Sequence, residues 1–432
     1  MSPGGRPVCG AIAQYRRKPG KTVCPGIAAS RCRTGPQDPA TGRTASPLGQ
    51  YRCSHGHGRD AREPAQAPQS FAGPRPSASA ANSLRPAMTI KCDWYEIDSR
   101  FIPGHYQPAT LIDLALSRGI DSHRLLKGTG LFYEDIIAGK TRLSPQQFFA
   151  LIANVRRQMD ADDTSFLFGQ RLFPGHYGAA SHALRHARNL HQALEILIRQ
   201  QALLSPLLTP RLELDEHYAY LYWLDSCGAG EQQQFVLEAG MTALIAMSHA
   251  LGSERLPWEC SFCHDEPRYV EQYWVHLGEN TAFGRPLDMM RLPRECLTRP
   301  WPGASPIAGQ VAQQEAGAQL EALGMYASLP DRIYCYLRDN VREAPSLDQA
   351  AQAFAMSPAT LKRKLQKHGT SFQARHDLAR KHVALHLYQI KGLSNEAVAE
   401  YLNFNDPANF RRSFKRWTGS TPKLIQRLFN FD

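Results

Sequence analysis

Residues 346–367 read SLDQAAQAFAMSPATLKRKLQK, and this stretch predicts two short helices joined by a tight turn. Ser346 and Gln349 have the spacing of a capping box, in which each side chain bonds the other residue's backbone amide and starts a helix. Ser357 and Pro358 predict a second start, because serine caps a helix and proline fits its first turn. The order is therefore helix, turn, helix.

The second of these helices, predicted over residues 358–367, has one apolar and one basic face. Leu361 and Leu365 are its apolar positions. Its cationic positions are Lys362, Arg363, Lys364 and Lys367. A tight turn followed by a short basic helix is the layout that places a recognition helix in the major groove of DNA.

The same layout recurs 49 positions further along the chain, where Asp406 and Pro407 repeat the cap and the proline. The helix predicted over 407–417 carries Asn409, Arg411, Arg412, Lys415 and Arg416. Between the two units, residues 371–390 predict one helix of about 20 residues and about 30 Å. That length suits two recognition helices spaced near the roughly 34 Å repeat of B-DNA, so one monomer would enter consecutive major grooves.

Taken together, residues from about 347 to 422 resemble the DNA-binding domain of the AraC/XylS family of transcriptional regulators. The matching motifs are Met356-Ser357-Pro358, Leu361-Lys-Arg-Lys-Leu365, Gly369-Thr-Ser-Phe372, Ala399-Glu-Tyr-Leu402, Phe414-Lys-Arg-Trp-Thr-Gly419 and Thr421-Pro422. Two turn positions depart from the family's usual glycine, with Ala355 in the first unit and Asn403 in the second. Alanine in a left-handed conformation costs about 1 kcal/mol, which predicts strain in the first turn.

The resemblance implies which side chains contact DNA. Those at base-contacting positions are Ala359, Lys362, Arg363, Ala408, Asn409 and Arg412. Arginine pairs well with guanine and asparagine with adenine, whereas the alanines offer only apolar contact. Those expected to contact phosphates are Lys364, Lys367, Arg411, Lys415 and Arg416. For any single cation the alternative is a solvated helix face.

Residues 88–306 predict a mixed α/β domain. Residues 211–215 and 218–223 alternate like paired strands, and residues 191–204 and 235–251 have helical periodicity. This region resembles the arabinose-binding-type effector domain of the same family, through Gly175-His-Tyr-Gly178, Leu190-His-Gln-Ala-Leu194 and the segment from Tyr273 to Pro286. The resemblance implies effector sensing or dimerisation.

The remaining segments complete the predicted organisation. Residues 307–329 are expected to be a helical linker or a dimerisation element, and residues 330–432 the DNA-binding domain. Residues 1–87, rich in Gly, Pro, Ser, Ala and Arg, predict a disordered basic extension. That extension is either a tail that adds nonspecific DNA affinity or a segment that precedes the true translation start at Met88.

Charge supports the same organisation. Lys and Arg exceed Asp and Glu by 13 to 3 in residues 1–87 and by 17 to 9 in residues 330–432, whereas residues 88–329 have 20 against 27. A basic domain beside an acidic one suits a polyanion-binding module joined to a sensing module. The predicted fold class is α+β and multidomain, with a mixed α/β effector domain followed by an all-α domain that carries two helix-turn-helix motifs joined by a long helix.

These observations predict a sequence-specific transcription factor, an activator, whose partners are double-stranded promoter DNA, RNA polymerase, a small-molecule effector and a second copy in a homodimer. No cofactor, metal, catalytic residue or membrane span is expected, and the location is cytoplasmic. The Cys260/Cys263 spacing is that of half a zinc site but lacks a second pair. The alternatives are an enzyme or an architectural protein fused to a DNA-binding module.

Overall fold

A five-stranded sheet lies at the centre of the middle region, by which we mean residues 93–323. The computed structural model describes residues 93–429. The predictions for residues 1–87, their disorder and the alternative start at Met88, lie outside the described residues. The strands are β1 Trp94–Tyr95, β2 Ile102–Pro103, β3 Arg142–Leu143, β4 Leu208–Leu214, β5 Tyr218–Asp225, β6 Glu259–Ser261, β7 Thr281–Ala282, β8 Met289–Pro293 and β9 Ala327–Ser328.

The strand order in this sheet is β4-β5-β8-β6-β7. All neighbours are antiparallel except β6 and β7, which are parallel. The predicted hairpin of β4 and β5 is confirmed, with Leu214 opposite Ala219. Two smaller pairs lie outside the sheet: β1 is parallel to β9, and β2 is antiparallel to β3.

The middle region also contains eleven α-helices, several of which pack against the sheet. They are α1 Gln107–Leu116, α2 Ser122–Leu126, α3 Tyr133–Ile137, α4 Pro145–Met159, α5 Thr164–Leu172, α6 Ala179–Arg185, α7 Leu190–Arg199, α8 Gln201–Leu204, α9 Gln233–Gly252, α10 Val270–Leu277 and α11 Pro306–Leu323. Helix α9 with its preceding turn is long and apolar enough to cross a membrane, but 67% of its most apolar window is buried inside the protein. Burial of this kind is typical of a core helix, and α9 packs along α5.

The apolar pattern over residues 191–204 predicts one helix, whereas the structure has two. Helix α7 ends at Arg199, and α8 begins at Gln201 after Gln200 takes φ −100° and ψ 25°. Both helices bury their apolar side chains in the same core. The periodicity therefore continues across the break, which the apolar pattern alone does not reveal.

Helix α11 occupies most of the segment expected to be a linker. It packs along α6 and buries Ala312, Ala316 and Leu320 in the core of the middle region. Strand β9 then pairs with β1, which holds the chain to the middle region until the next helix starts. This segment is a packed part of the structure, and its exposed large hydrophobic side chains are Ile307, Val311 and Tyr326.

The carboxy-terminal region, residues 329–429, is helical. Its helices are α12 Leu329–Asp339, α13 Leu347–Ala353, α14 Pro358–Lys367, α15 Phe372–Gln389, α16 Asn395–Tyr401, α17 Pro407–Thr418 and α18 Pro422–Phe429. Two short-helix pairs, α13 with α14 and α16 with α17, lie on either side of α15, whose 18 residues span about 27 Å.

The predicted helix caps are confirmed. Ser346 and Gln349 form both hydrogen bonds of a capping box. The Ser357 hydroxyl accepts a hydrogen bond from the Thr360 amide, and the Asp406 carboxylate accepts two, from the amides of Ala408 and Asn409. Ser357 and Asp406 each precede a proline, so the starts of α14 and α17 are fixed by local sequence.

Both turns between paired helices contain a residue in the left-handed conformation. Ala355 has φ +54° and Asn403 has φ +59°. Asparagine visits this region more readily than other non-glycine residues, whereas alanine pays a steric cost through its Cβ atom. The strain expected at the first turn is therefore located at Ala355.

We expect Ala355→Gly to stabilise the protein by about 1 kcal/mol, because glycine adopts this φ without a clash. The matched control is Ala353→Gly, two residues earlier at the end of α13, which should instead destabilise by up to about 1 kcal/mol. Denaturant unfolding measures both changes. A loss of stability in Ala355→Gly would show that Ala355 carries no such strain.

Candidate nucleic-acid interface

Helices α14 and α17 are each anchored by two fully buried side chains. Leu361 and Leu365 of α14 are 0% exposed and pack in a cluster with α12 and α13. Phe410 and Phe414 of α17 are 0% exposed and pack in a second cluster with α15 and α16. Because the anchors occupy one face of each helix, the polar side chains of both helices are directed away from the core.

The side chains expected to contact bases lie on that outward face. Ala359, Lys362, Arg363, Asn409 and Arg412 are exposed, and Ala408 is half-buried at the first turn of α17. Within residues 93–425, neither Arg363 nor Arg412 forms an ion pair or a side-chain hydrogen bond. Their guanidinium groups therefore have all their donors available for a nucleic-acid acceptor.

The cations expected to contact phosphate fall into two groups. Arg411 and Lys415 are exposed, and Arg416 lies 3.3 Å from Asp377 of α15 while its side chain stays 65% exposed. Lys364 and Lys367 are instead paired with carboxylates of the middle region. Their partners are Glu96 and Asp98, which follow strand β1.

These ion pairs join the start of the middle region to α14. Lys364 donates to Glu96 Oε1, Lys367 Nζ lies 3.3 Å from Glu96 Oε2, and Lys367 also pairs with Asp98. Burial alone would raise the pKa of Glu96, but the hydrogen bond and charge of Lys364 and then of Lys367 lower it below its ordinary value. The stabilisation they give is therefore complete at neutral pH and is lost only as the pH falls through that lowered value.

An apolar layer holds the carboxy-terminal helices against the outer face of the sheet. Tyr220 and Tyr222 of β5, with Met289 of β8, pack in one cluster with Leu385 and Tyr388 of α15. Leu224 of β5 packs in another cluster with Leu329, Ile333 and Leu337 of α12.

Polar contacts surround this apolar layer. Arg211 of β4 lies 2.5 Å from the buried carboxylate of Asp331 on α12. His386 of α15 lies 2.5 Å from Glu213. At Gly228 a Cβ atom would lie 2.1 Å from the backbone oxygen of His368, so glycine is required where this loop meets the end of α14.

Sequence reasoning missed a buried polar cluster around Glu238 of α9. Its carboxylate is 2% exposed and accepts hydrogen bonds from Ser165, Gln234, Tyr269 and Tyr273. The apolar run of α9 gave no signal for this cluster. The donors lie four to 73 positions from Glu238 along the chain. Only Gln234, four residues earlier on the same helix, could be predicted as a neighbour from the sequence.

The candidate metal or redox pair, Cys260 and Cys263, is not brought together with other ligands. Cys260 is buried in the sheet, where desolvation raises the pKa of its thiol to about 12, whereas Cys263 lies at the surface. Among the residues that the structure describes, no three His, Cys, Asp or Glu side chains cluster as metal ligands would.

Comparison with protein families gives two matches. The model of the N-terminal arabinose-binding domain of AraC transcription regulators matches residues 119–301, and the model of a helix-turn-helix domain matches residues 350–427. The first match covers the sheet and most helices of the middle region. The second begins within α13 and ends within α18, so it includes both helix pairs and α15.

Several regulators are similar in sequence. The ornithine utilization regulator of Pseudomonas aeruginosa is 28% identical over 325 residues, which are 75% of this chain and 96% of that protein. An uncharacterized HTH-type transcriptional regulator of Mycobacterium tuberculosis is 23% identical over 332 residues, 74% of this chain and 95% of that protein. The crystal structure of the transcriptional regulator CdpR from Pseudomonas aeruginosa aligns with 19% identity and a TM-score of 0.37, over 74% of this chain and 98% of that one.

We expect Glu96→Gln to strengthen binding to duplex DNA of random sequence. The change removes the charge that pairs with Lys364, so this ammonium group becomes available to phosphates, whereas Lys367 stays paired with Asp98. Each additional phosphate contact steepens the plot of log K against log salt by about 0.9, so the slope should grow by about one. Fluorescence anisotropy between 50 and 200 mM salt measures it.

The matched control for this measurement is Glu134→Gln. Glu134 is an exposed carboxylate on α3, so the control removes the same unit of negative charge at a site without an ion pair to α14. Equal slopes in the two variants would mean that net charge alone explains the change and that the Glu96 contacts do not limit DNA binding.

Proposed function

This chain belongs to the AraC/XylS family and is a DNA-binding transcriptional regulator, and from this premise we propose that it places α14 and α17 in consecutive major grooves of one promoter duplex. In this proposal both short-helix pairs are helix-turn-helix motifs, and α15 is the helix that sets their spacing. The DNA-binding domain spans residues 330–432, the effector domain 88–306, and residues 307–329 connect them.

The observation that carries this proposal is the equivalence of α14 and α17. Each follows a turn with a left-handed residue, each begins with a cap and a proline, and each is anchored by two buried side chains. The helix between them spans about 27 Å, and the turns at its ends add to the separation. This spacing approaches the roughly 34 Å between equivalent points of one groove.

Base reading is assigned to the amino-terminal halves of the two helices. Arg363 and Arg412 suit guanine, Asn409 suits adenine, and Lys362 is a second donor on α14. Ala359 and Ala408 would give only apolar contact, for example to a thymine methyl group. Arg411, Lys415 and Arg416 are assigned to phosphates, as are Lys364 and Lys367 once they leave Glu96 and Asp98.

A small molecule bound to the middle region is proposed to modulate DNA binding. Support comes from the match to the arabinose-binding domain and from a relative named for ornithine utilization. In the same proposal the protein acts in the cytoplasm as an activator that contacts RNA polymerase, as a homodimer. The relatives reported above are named as regulators, and no observation among residues 93–429 favours an enzyme or an architectural protein.

We expect Arg363→Ala and Arg412→Ala each to weaken binding to the specific operator by about 1–3 kcal/mol, or about 5- to 150-fold, and to relax the base preference at one position. Sequencing of genomic fragments bound by the protein would first identify the operator. Titration of that operator and of single-base variants would then measure both effects.

The control for these two variants is Arg171→Ala. Arg171 is an exposed arginine of α5 in the middle region, so it removes the same charge away from α14 and α17. If neither Arg363→Ala nor Arg412→Ala weakened operator binding more than this control, the assignment of base reading to these helices would be wrong.

A further inference from the structure

A cavity of about 280 Å³ lies between the outer face of the sheet and helix α15. Its walls come from both regions of the protein. The middle region contributes Tyr222, Trp223, Leu224, Asp225, Gln233, Cys263, Leu287 and Asp288, and the carboxy-terminal region contributes Thr370, Ala374, Arg375, Leu378, Lys381 and His382. The cavity is therefore formed only where the two regions meet.

Arg375 is the unusual member of this lining. It is 6% exposed, and its guanidinium forms no ion pair or hydrogen bond with any residue in the described part of the chain. A buried cation without a partner is unfavourable, and burial lowers the pKa of Arg375 below its ordinary value. Among the described residues, no hydrogen bond or ion pair accounts for an arginine at this position.

The two carboxylates that act on Arg375 are committed elsewhere, and Asp288, which also lines the cavity, accepts a hydrogen bond from the Cys263 amide. Asp225 accepts hydrogen bonds from the backbone amides of residues 227–229, and Asp331 is paired with Arg211. Neither is within ion-pair distance of Arg375, although both act on it through space. The guanidinium therefore lacks the planar, two-oxygen acceptor that its geometry suits.

The rest of the lining adds a polar acceptor and apolar walls. The side-chain oxygen Oε1 of Gln233 is buried without a hydrogen-bond partner, so it needs a donor. Lys381 already donates to the backbone oxygen of Pro286 at 3.1 Å. Tyr222, Leu224, Leu287 and Leu378 supply apolar surface. The cavity thus offers a cation, an acceptor and an apolar wall.

We propose that this cavity is the effector site and that it binds a small carboxylic acid with a hydrogen-bond donor on the neighbouring carbon, such as an α-amino or α-hydroxy acid. The carboxylate pairs with Arg375, and the donor reaches Gln233 Oε1. This inference rests on the proposed function only in taking the protein to be effector-regulated. It places the effector between the two regions.

The location explains how such a ligand would act on DNA binding. Arg375 lies at the start of α15, the helix between the two helix pairs, whereas Gln233 lies at the start of α9. A ligand that bonds both has different affinities for arrangements in which these helices lie at different distances. A difference of that kind is what a ligand needs to shift an equilibrium between two states.

The test uses the full-length protein and four three-carbon probes: L-lactate, L-alanine, propionate and isopropylamine. Probes of this size fit any cavity that accepts a larger member of the class. At tens of millimolar and constant ionic strength, we expect lactate and alanine to raise Tm by about 2 °C, propionate to raise it less, and isopropylamine to leave it unchanged.

Arg375→Met separates a binding role from a structural one. Methionine keeps an unbranched apolar stem without the charge, so this variant should raise Tm in the absence of probe and abolish the response to lactate and alanine. A lower Tm without probe would show that Arg375 supports the fold. Equal responses of the variant and the wild type would show that the probes act elsewhere, and no response of the wild type to any carboxylate would also overturn the proposal.

Gln233→Leu is the second variant, and it keeps the test decisive if Arg375→Met does not fold. It should lower the responses to lactate and alanine to the level of propionate, while leaving that of propionate unchanged. Unaltered responses would contradict the role of Gln233. These Tm measurements use no DNA. A negative result in them therefore does not contradict operator binding by Arg363 and Arg412, and a negative result in the operator titrations does not contradict carboxylate binding.

Discussion

Strand β5 is buried on both of its faces, and this constraint determines how the rest of the molecule is arranged. Ala219, Leu221 and Trp223 point into the core of the middle region. Tyr220 and Tyr222, which alternate with them, point outward and are also buried. Burying one large apolar side chain stabilises a protein by about 2 kcal/mol, so the outer face requires a cover. The carboxy-terminal helices provide it.

That cover positions the candidate DNA-binding surface. Helix α15 uses Leu385 and Tyr388 against the sheet and also packs against α17. Helix α12 packs on both β5 and α15, and α14 is anchored in the same cluster as α12. The side chains that remain exposed on α14 and α17 are those that do not pack against the other helices. Recognition surface and sheet are therefore connected through one continuous set of packed side chains.

Local features of this arrangement were predictable from the sequence, because their causes lie within a few residues. The capping box at Ser346 and the proline starts of α14 and α17 follow from backbone chemistry at the site itself, whereas the left-handed turn at Ala355 was expected from the family resemblance. The β4–β5 hairpin follows from alternation and a short turn. The break at Gln200 was missed because two helices that share a core keep the same apolar periodicity.

Contacts between distant segments were not predictable in this way. The sequence around Lys364 and Lys367 predicts lysines that contact phosphates. Nothing near them in sequence indicates that Glu96 and Asp98 lie against them. The sequence around Arg375 does not distinguish it from an exposed arginine on a helix, and only the tertiary structure shows that it is buried. In both cases the chemistry depends on residues about 140 to 270 positions away.

The Glu96 ion pairs and the buried Arg375 have opposite effects on the stability of the arrangement in which the carboxy-terminal helices pack on the sheet. The ion pairs of Glu96 stabilise it, whereas the unpaired charge of Arg375 destabilises it until a carboxylate binds. A ligand at Arg375 therefore stabilises this arrangement relative to any other in which that arginine is solvated. If DNA binding changes the distance between α15 and the sheet, it also changes the affinity of the protein for the carboxylate. Because the coupling between two binding sites is reciprocal, the carboxylate then changes the affinity for DNA by the same factor.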